Sequence, residues 1–391
     1  MNTFIKNNSL LIGSNKQEFL YDPNKLVLVY DTSKEPANNT ISFPVNGASP
    51  NVTVDWGDNT SDTYTTTGWK THTYTNPGIY VVQASGVLRA LTFGSGGSSS
   101  NNRLKLVRCL SFGNVLLTSL LDAFRNCINL IQAPTSLPVT SNITNLGACF
   151  AGCTSFNYNI DSWNTSTVLT IANLFNGATI FNQPLNSWNV SNVTTMSNTF
   201  GPARAFNQPL SNWNTGSVIN MSNMFNGAWS FNQNINTWNV SNVTSMASMF
   251  ASALSFNQPL NNWNTSSVLS MNNMFGLNRV FNQDLSSWNT SSIQTMSSMF
   301  NDSDAFTSNL GSWNLSSLNS STSLNNFMNS ATGMTTTDYD ATLIGWNNNK
   351  ASFRNDLSVN FGGSKYSAAG AAARAALIAY GWNITDGGLA P

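Results

Sequence analysis

The chain has 391 residues, room for two or three ordinary domains, and a 41% hydrophobic content that lets a core form. Only 8% of residues are charged and the formal net charge is zero, so nothing offers an electrostatic footprint for nucleic acid or an anionic membrane. Aromatics at 11% argue against disorder, and solubility has to come from neutral Asn, Ser and Thr.

The opening MNTFIKNNSLLIGSNKQEFL has no basic region leading into a long apolar segment, and Leu10 to Ile12 is too short for a signal peptide. No stretch nears the roughly 20 apolar residues that span a bilayer, so membrane insertion is not expected. Residues 1–25 show no clear pattern and read as an arm that docks on something else. Over 26–94 the runs LVLVY, NVTVDW and IYVVQAS alternate in strand fashion between the turn signals NGASPN, GDNT and NPG, which predicts a small all-β sandwich. The Gly/Ser-rich stretch after it reads as a flexible linker, 95–104.

A repeat governs 105–330. Phe stands at Phe156, Phe181, Phe206 and onward to Phe306, every 25 residues. Trp163 to Trp313 keep the same beat, as does a second Phe from Phe150 to Phe300, and Met runs from Met196 to Met296. One such unit cannot bury its own apolar face, but stacked copies can, each Phe, Trp and Met meeting its counterpart. Val193, Met196, Phe200 and Ala203 are spaced by three or four, which predicts a short helix in each unit. FNQPLNSW reads as extended chain, because Pro184 bars helix. The expected product is a solenoid. Looser copies precede it, with Phe124, Cys127 and Leu130 one step before Phe150, Cys153 and Phe156. Residues 331–391 differ in composition and read as a small α/β cap. It comprises a helix from Asp338 to Trp346, strands at SVNFGG and WNITDGG, and an Ala-rich helix from Ser367 to Ala379. The fold class expected is α+β.

Chemistry has few residues to work with. The one His, His72, has no Ser/His/Asp or Cys/His arrangement around it, so no catalytic or cofactor-binding residue is assigned and the chain reads as a non-enzyme. Asp302 and Asp304 are neighbours that no other copy repeats, the thin basis for a polysaccharide-degrading alternative. The four Cys (Cys109, Cys127, Cys149, Cys153) lack paired metal-ligand spacing and read as buried thiols, with a disulfide the next alternative and a metal the last. The Trp column could be a ladder for sugars, but residues in register at this spacing read better as core. Asn columns beginning at Asn182 and at Asn189 can hydrogen-bond to the copies on either side. Surface binding falls to positions that vary between copies: Tyr158, Arg204, Trp229, Arg279 and Asp284.

Two resemblances extend this reading. Val54-Asp55-Trp56-Gly57-Asp58, His72-Thr73-Tyr74 and Pro77-Gly78-Ile79-Tyr80 resemble a polycystic-kidney-disease (PKD) type domain, which implies an immunoglobulin-like sandwich used as a spacer or adhesion module. Asp55 and Asp58 could touch a cation there, although Asp in a tight turn more often caps backbone N–H groups. The 25-residue unit, FNQPL..WN.S.V..M..MF, resembles the BspA-type leucine-rich repeat of bacterial surface proteins and mycoplasma lipoproteins, which implies display and adhesion and brings no catalytic residues.

Members of that family carry a secretion signal and an anchor, and this stretch shows neither. The expectation is therefore a phage structural protein on a virion surface, as tail fibre or head decoration, mediating host attachment. A bacterial cell-surface adhesin is the alternative. Expected partners are other virion structural proteins, through the arm or the PKD-like domain, a host-surface glycan or protein, and further copies of the chain.

Overall fold

The computed structural model describes residues 5–6, 9–12, 17–35, 38–94, 100–138 and 142–391. It is a mixed α and β fold, mostly strands with few helices, in two compact units, 1–184 and 185–391. Each is taken by itself.

In the first unit, β1 (Ile5–Lys6), β2 (Ser9–Ile12) and β3 (Gln17–Leu20) form a three-stranded antiparallel sheet, where the sequence had suggested only a patternless arm. β4 (Leu26–Asp31), β5 (Thr40–Val45), β6 (Asn51–Asp55), β7 (Ser61–Tyr64), β8 (Gly68–Thr73) and β9 (Ile79–Val87) follow. β4 is buried along its whole length, which is why LVLVY is apolar throughout, whereas Asn51–Val54 alternates exposed and buried. β5 pairs with β8 in a separate two-stranded sheet.

The stretch 95–104, read as a flexible linker, turns out differently in its described part. Residues 95–99 lie outside the described residues, and α1 (Ser100–Lys105) is a docked helical turn. Lys105, fully buried, donates its ammonium to the carbonyls of Asn38 and Thr40, and Arg103 Nε donates to Phe93 O at 2.9 Å. Lys105 also lies 3.3 Å from the Glu35 carboxylate, so two cations anchor α1. β10 (Leu106–Ser111), expected to open the repeat array, joins β4 as an edge strand, giving the sheet order β10-β4-β9-β6-β7. Its Arg108 also bridges Gln132 in parallel, so one strand serves both the sheet and the first loose copy.

In the second unit, copies of the 25-residue unit stack. Single parallel bridges link Thr195, Asn220, Ser245, Ser270 and Thr295 in turn. The expected helix over Val193–Ala203 does not form. The amides of Met196, Asn198 and Phe200 donate instead to the carbonyls of Asn220, Ser222 and Met224 in the following copy, at 2.8–2.9 Å. The intervening amides of Thr199, Gly201 and Ala203 close tight turns back to Met196, Asn198 and Phe200. Asn198 sits at φ 58, as do its counterparts Asn223, Ser248, Asn273 and Ser298 at φ 55–57, and a left-handed residue ends any α-helix. The three-and-four spacing therefore marks one buried face built from turns.

That face is a stack of rings. Phe200, Phe225, Phe250, Phe275 and Phe300 lie 5.5–5.8 Å apart, and each stacks on its own copy's second Phe at 3.8–4.0 Å. Burying one Phe contributes about 1.5–3 kcal/mol, and each ring pair adds about 0.5–1.5 kcal/mol. The stack ends in α2 (Thr336–Asn349), β11 (Ser358–Asn360), α3 (Ala368–Tyr380) and β12 (Asn383–Thr385), with β11 and β12 parallel. Ser367 caps α3, and Gly381 at φ 115 takes the left-handed position that closes it. Among the described residues no helix is long and apolar enough to cross a membrane.

Candidate functional site

Most of what repeats is used internally. The Trp column, Trp163 through Trp313, is 1–3% exposed, so it presents no ladder of rings to solvent. Trp213, Trp238, Trp263, Trp288 and Trp313 also donate their indole N–H to a carbonyl of the preceding copy, as Trp263 does to Ile235 O at 3.1 Å. The Asn column of Asn207, Asn232, Asn257 and Asn282 works between copies: Asn232 N donates to Asn207 Oδ1, Asn257 N to Asn232 Oδ1, and Asn282 N to Asn257 Oδ1, all at 3.0–3.1 Å. The second Asn column differs from the expectation. Asn189, Asn214, Asn239, Asn264 and Asn289 each accept from the amide two residues on, closing a turn within their own copy. Asn that precedes a turn satisfies the nearest donor first.

What varies lies outside. Residues 204, 229, 254, 279 and 304 share one phase of the repeat and form a row in which Arg204, Trp229, Leu254 and Arg279 are exposed and Asp304 is half-buried. Trp229 is 42% exposed and Leu254 43%. Between the first two members of the row, Ser230 N donates to Arg204 O at 3.1 Å. Arg204 lays its guanidinium over the Trp229 ring, Cζ 4.0 Å from the centroid, and among the described residues no carboxylate pairs with it. Arg279 is engaged with acids: Asp302 at 2.6 Å and Asp304 at 3.9 Å, a pairing that raises its pKa. The two neighbouring aspartates are thus held by a cation.

Of the other sequence-derived candidates, Asp284 is exposed but its Oδ1 accepts from Ser286 N at 2.8 Å, so it is a turn residue. Tyr158 belongs to the first unit and is half-buried. The structure therefore joins Arg204 with Trp229 and leaves Asp284 and Tyr158 apart from them within their own surroundings. Leu254, Asp302 and Asp304 were missed as surface partners, although counting in steps of 25 from Arg204 finds Leu254 and Asp304 directly.

In the first unit, Asp55 Oδ1 accepts from Gly57 N, and Asp58 Oδ1 accepts from Thr60 N at 3.1 Å. Asp58 Oδ2 lies 2.7 Å from His72 Nε2. Burial raises the Asp58 pKa, but the hydrogen bonds from Thr60 and His72 outweigh it and hold the carboxyl below its usual range. His72 stacks on Trp56 at 4.8 Å and meets Tyr74 edge-on, a packed aromatic cluster whose Tyr74 hydroxyl donates to Trp56 O at 2.7 Å. Among the described residues no three of His, Cys, Asp and Glu gather as a metal site would require. The four cysteines are buried free thiols whose pKa values burial pushes upward.

Fold and surface together define a repeat protein: invariant columns form the interior, and variable positions form the face. The family model described as Mycoplasma protein of unknown function, DUF285, matches residues 118–238 and 219–339, and the chain belongs to that family. No curated protein and no solved structure matches the chain.

Proposed function

We propose that this is a non-enzymatic attachment protein displayed on a surface, in which a PKD-like β-sandwich serves as spacer and a leucine-rich-repeat-type solenoid with an α/β cap presents the binding face. The carrying observation is the division of labour along the repeat: Phe, Trp, Met and one Asn column are consumed in stacking, while Arg204, Trp229, Leu254 and Arg279 vary and stand exposed. A catalyst gathers unlike groups at one place, whereas this face distributes them one per copy.

Display on a bacterial envelope is supported by membership of a family described from Mycoplasma. Display on a virion, as tail fibre or head decoration docked through residues 1–25 or the PKD-like domain, is the reading that the pairing of a spacer module with repeats supports. Immunogold labelling of purified particles and of bacterial envelopes separates the two, and label on neither would refute surface display. Attachment itself is tested by adhesion of the purified chain to host cells; absence of adhesion removes the reading.

A further inference from the structure

We propose that the Arg204–Trp229 ledge recognises an acidic sugar, a pyranose carrying a carboxylate, as one unit of a linear chain lying along the exposed row; this rests on the attachment reading. Three observations carry it. Arg204 is exposed, over a ring rather than against an acid, in a face where Arg279 is engaged by two aspartates. Stacking occupies the flat side of a guanidinium and leaves its N–H donors directed outward in the plane, where they match a carboxylate bidentately. Trp229 and Leu254 supply exposed apolar surface in the two following copies, the kind of surface that meets the C–H face of a sugar ring.

The spacing is suitable as well. Equivalent Phe rings of successive copies lie 5.5–5.8 Å apart, close to the length of one pyranose unit. A chain along the row would set one anionic unit at Arg204 and its neighbours against the part of Trp229 that Arg204 leaves exposed and against Leu254. Farther along, Arg279 is already neutralised by Asp302, so the polymer gains little from a second anion there.

The test is calorimetric titration of the full chain with oligogalacturonate, hyaluronan and sialylated oligosaccharides, beside a neutral oligosaccharide, a sulfated one and polyglutamate. At least one carboxylated sugar should bind and the neutral chain should not. Arg204→Gln and Trp229→Ala should each weaken binding about tenfold or more, the loss expected for a charge-assisted hydrogen bond or a stacked ring. Arg204→Lys should fall between, because an ammonium lacks the planar fork. Both positions are exposed, so melting temperatures should not move, and raised salt should weaken binding. The inference is overturned if no carboxylated sugar binds, if Arg204→Gln binds as well as the parent, or if polyglutamate or the sulfated chain binds better. Should Arg204→Gln still adhere to cells as the parent does, attachment stands and this ledge does not mediate it.

Discussion

Trp238 donates its indole N–H to the main-chain carbonyl of Leu210, 3.0 Å away in the preceding copy. The same carbonyl accepts the backbone N–H of Trp213 at 3.2 Å, so one oxygen serves its own copy and the next. Trp213, Trp263, Trp288 and Trp313 make equivalent ties at 2.8–3.1 Å. Among Phe, Tyr and Trp, only Trp carries a ring N–H that can do this from within the core. The column is therefore both packing and fastening.

Trp238→Phe should cost about 1 kcal/mol, the net value of one hydrogen bond, since Leu210 O keeps its bond to Trp213. Trp238→Ala adds a cavity and should cost about 3–5 kcal/mol. Urea unfolding of the two variants and the parent measures both costs, and a Trp238→Phe variant as stable as the parent would show that the indole N–H contributes nothing.

The two Asn columns should respond unequally. Asn232 Oδ1 accepts from Asn257 N at 3.1 Å and Gln258 Nε2 at 3.0 Å, so Asn232→Ala strands two half-buried donors and should cost about 1–3 kcal/mol. Asn239 closes only an exposed local turn, through Ser241 N at 3.1 Å, and Asn239→Ala should cost less than about 1 kcal/mol. Thermal melts of the pair rank them; the reverse order would refute the assignment of roles.

Asn223 occupies the left-handed region at φ 57. Asn223→Gly and Asn223→Val lose the same side-chain bond from Asn226, so their difference isolates the backbone. The Val variant should be less stable by about 1–2 kcal/mol. Matching stabilities would mean that the copy relaxes to another conformation at no cost.

Asp58 should contribute to the acid sensitivity of the first unit. Its carboxyl is held below the usual value, so its contribution is present above the ordinary Asp pKa of about 3.9 and is lost as pH falls through the lower folded value. Denaturant midpoints taken from pH 6 downward should fall in that window, and Asp58→Asn should flatten the fall. An unchanged slope in the variant would assign the acid sensitivity to another group.

The thiols should be silent in the native protein. Cys109, Cys127, Cys149 and Cys153 are fully buried with raised pKa values, which suppress the reactive thiolate. A thiol reagent should label none of them before unfolding and all four after it. Rapid native labelling would contradict the packing around Phe124 and Phe150.

Much of the fold was legible because burial follows composition. LVLVY read as a strand, and β4 is that strand, buried along its whole length. The Ala-rich helix read over Ser367 to Ala379 is α3, Ala368–Tyr380. The Phe, Trp and Met columns announced an interior by recurring without variation. Less legible was anything resting on a hydrogen bond to a distant residue. Nothing in SSSNNRLK signals that Lys105 will end buried among the carbonyls of Asn38 and Thr40.

The sequence by itself determined the period, the buried columns and the variable exposed positions, since each follows from which side chains water excludes and how often they recur. Tertiary structure decided the conformation between those points. The spacing of Val193, Met196, Phe200 and Ala203 fits a helix, but the carbonyls of the following copy compete for the same amides. At Met196, Asn198 and Phe200 they win, because the stacked rings hold the two backbones together. Tertiary structure also set the partners on the surface: Arg204 over Trp229, and Arg279 against Asp302. Residues 25 apart are remote in the chain and adjacent in the stack, so their pairing appears only once the copies are brought together.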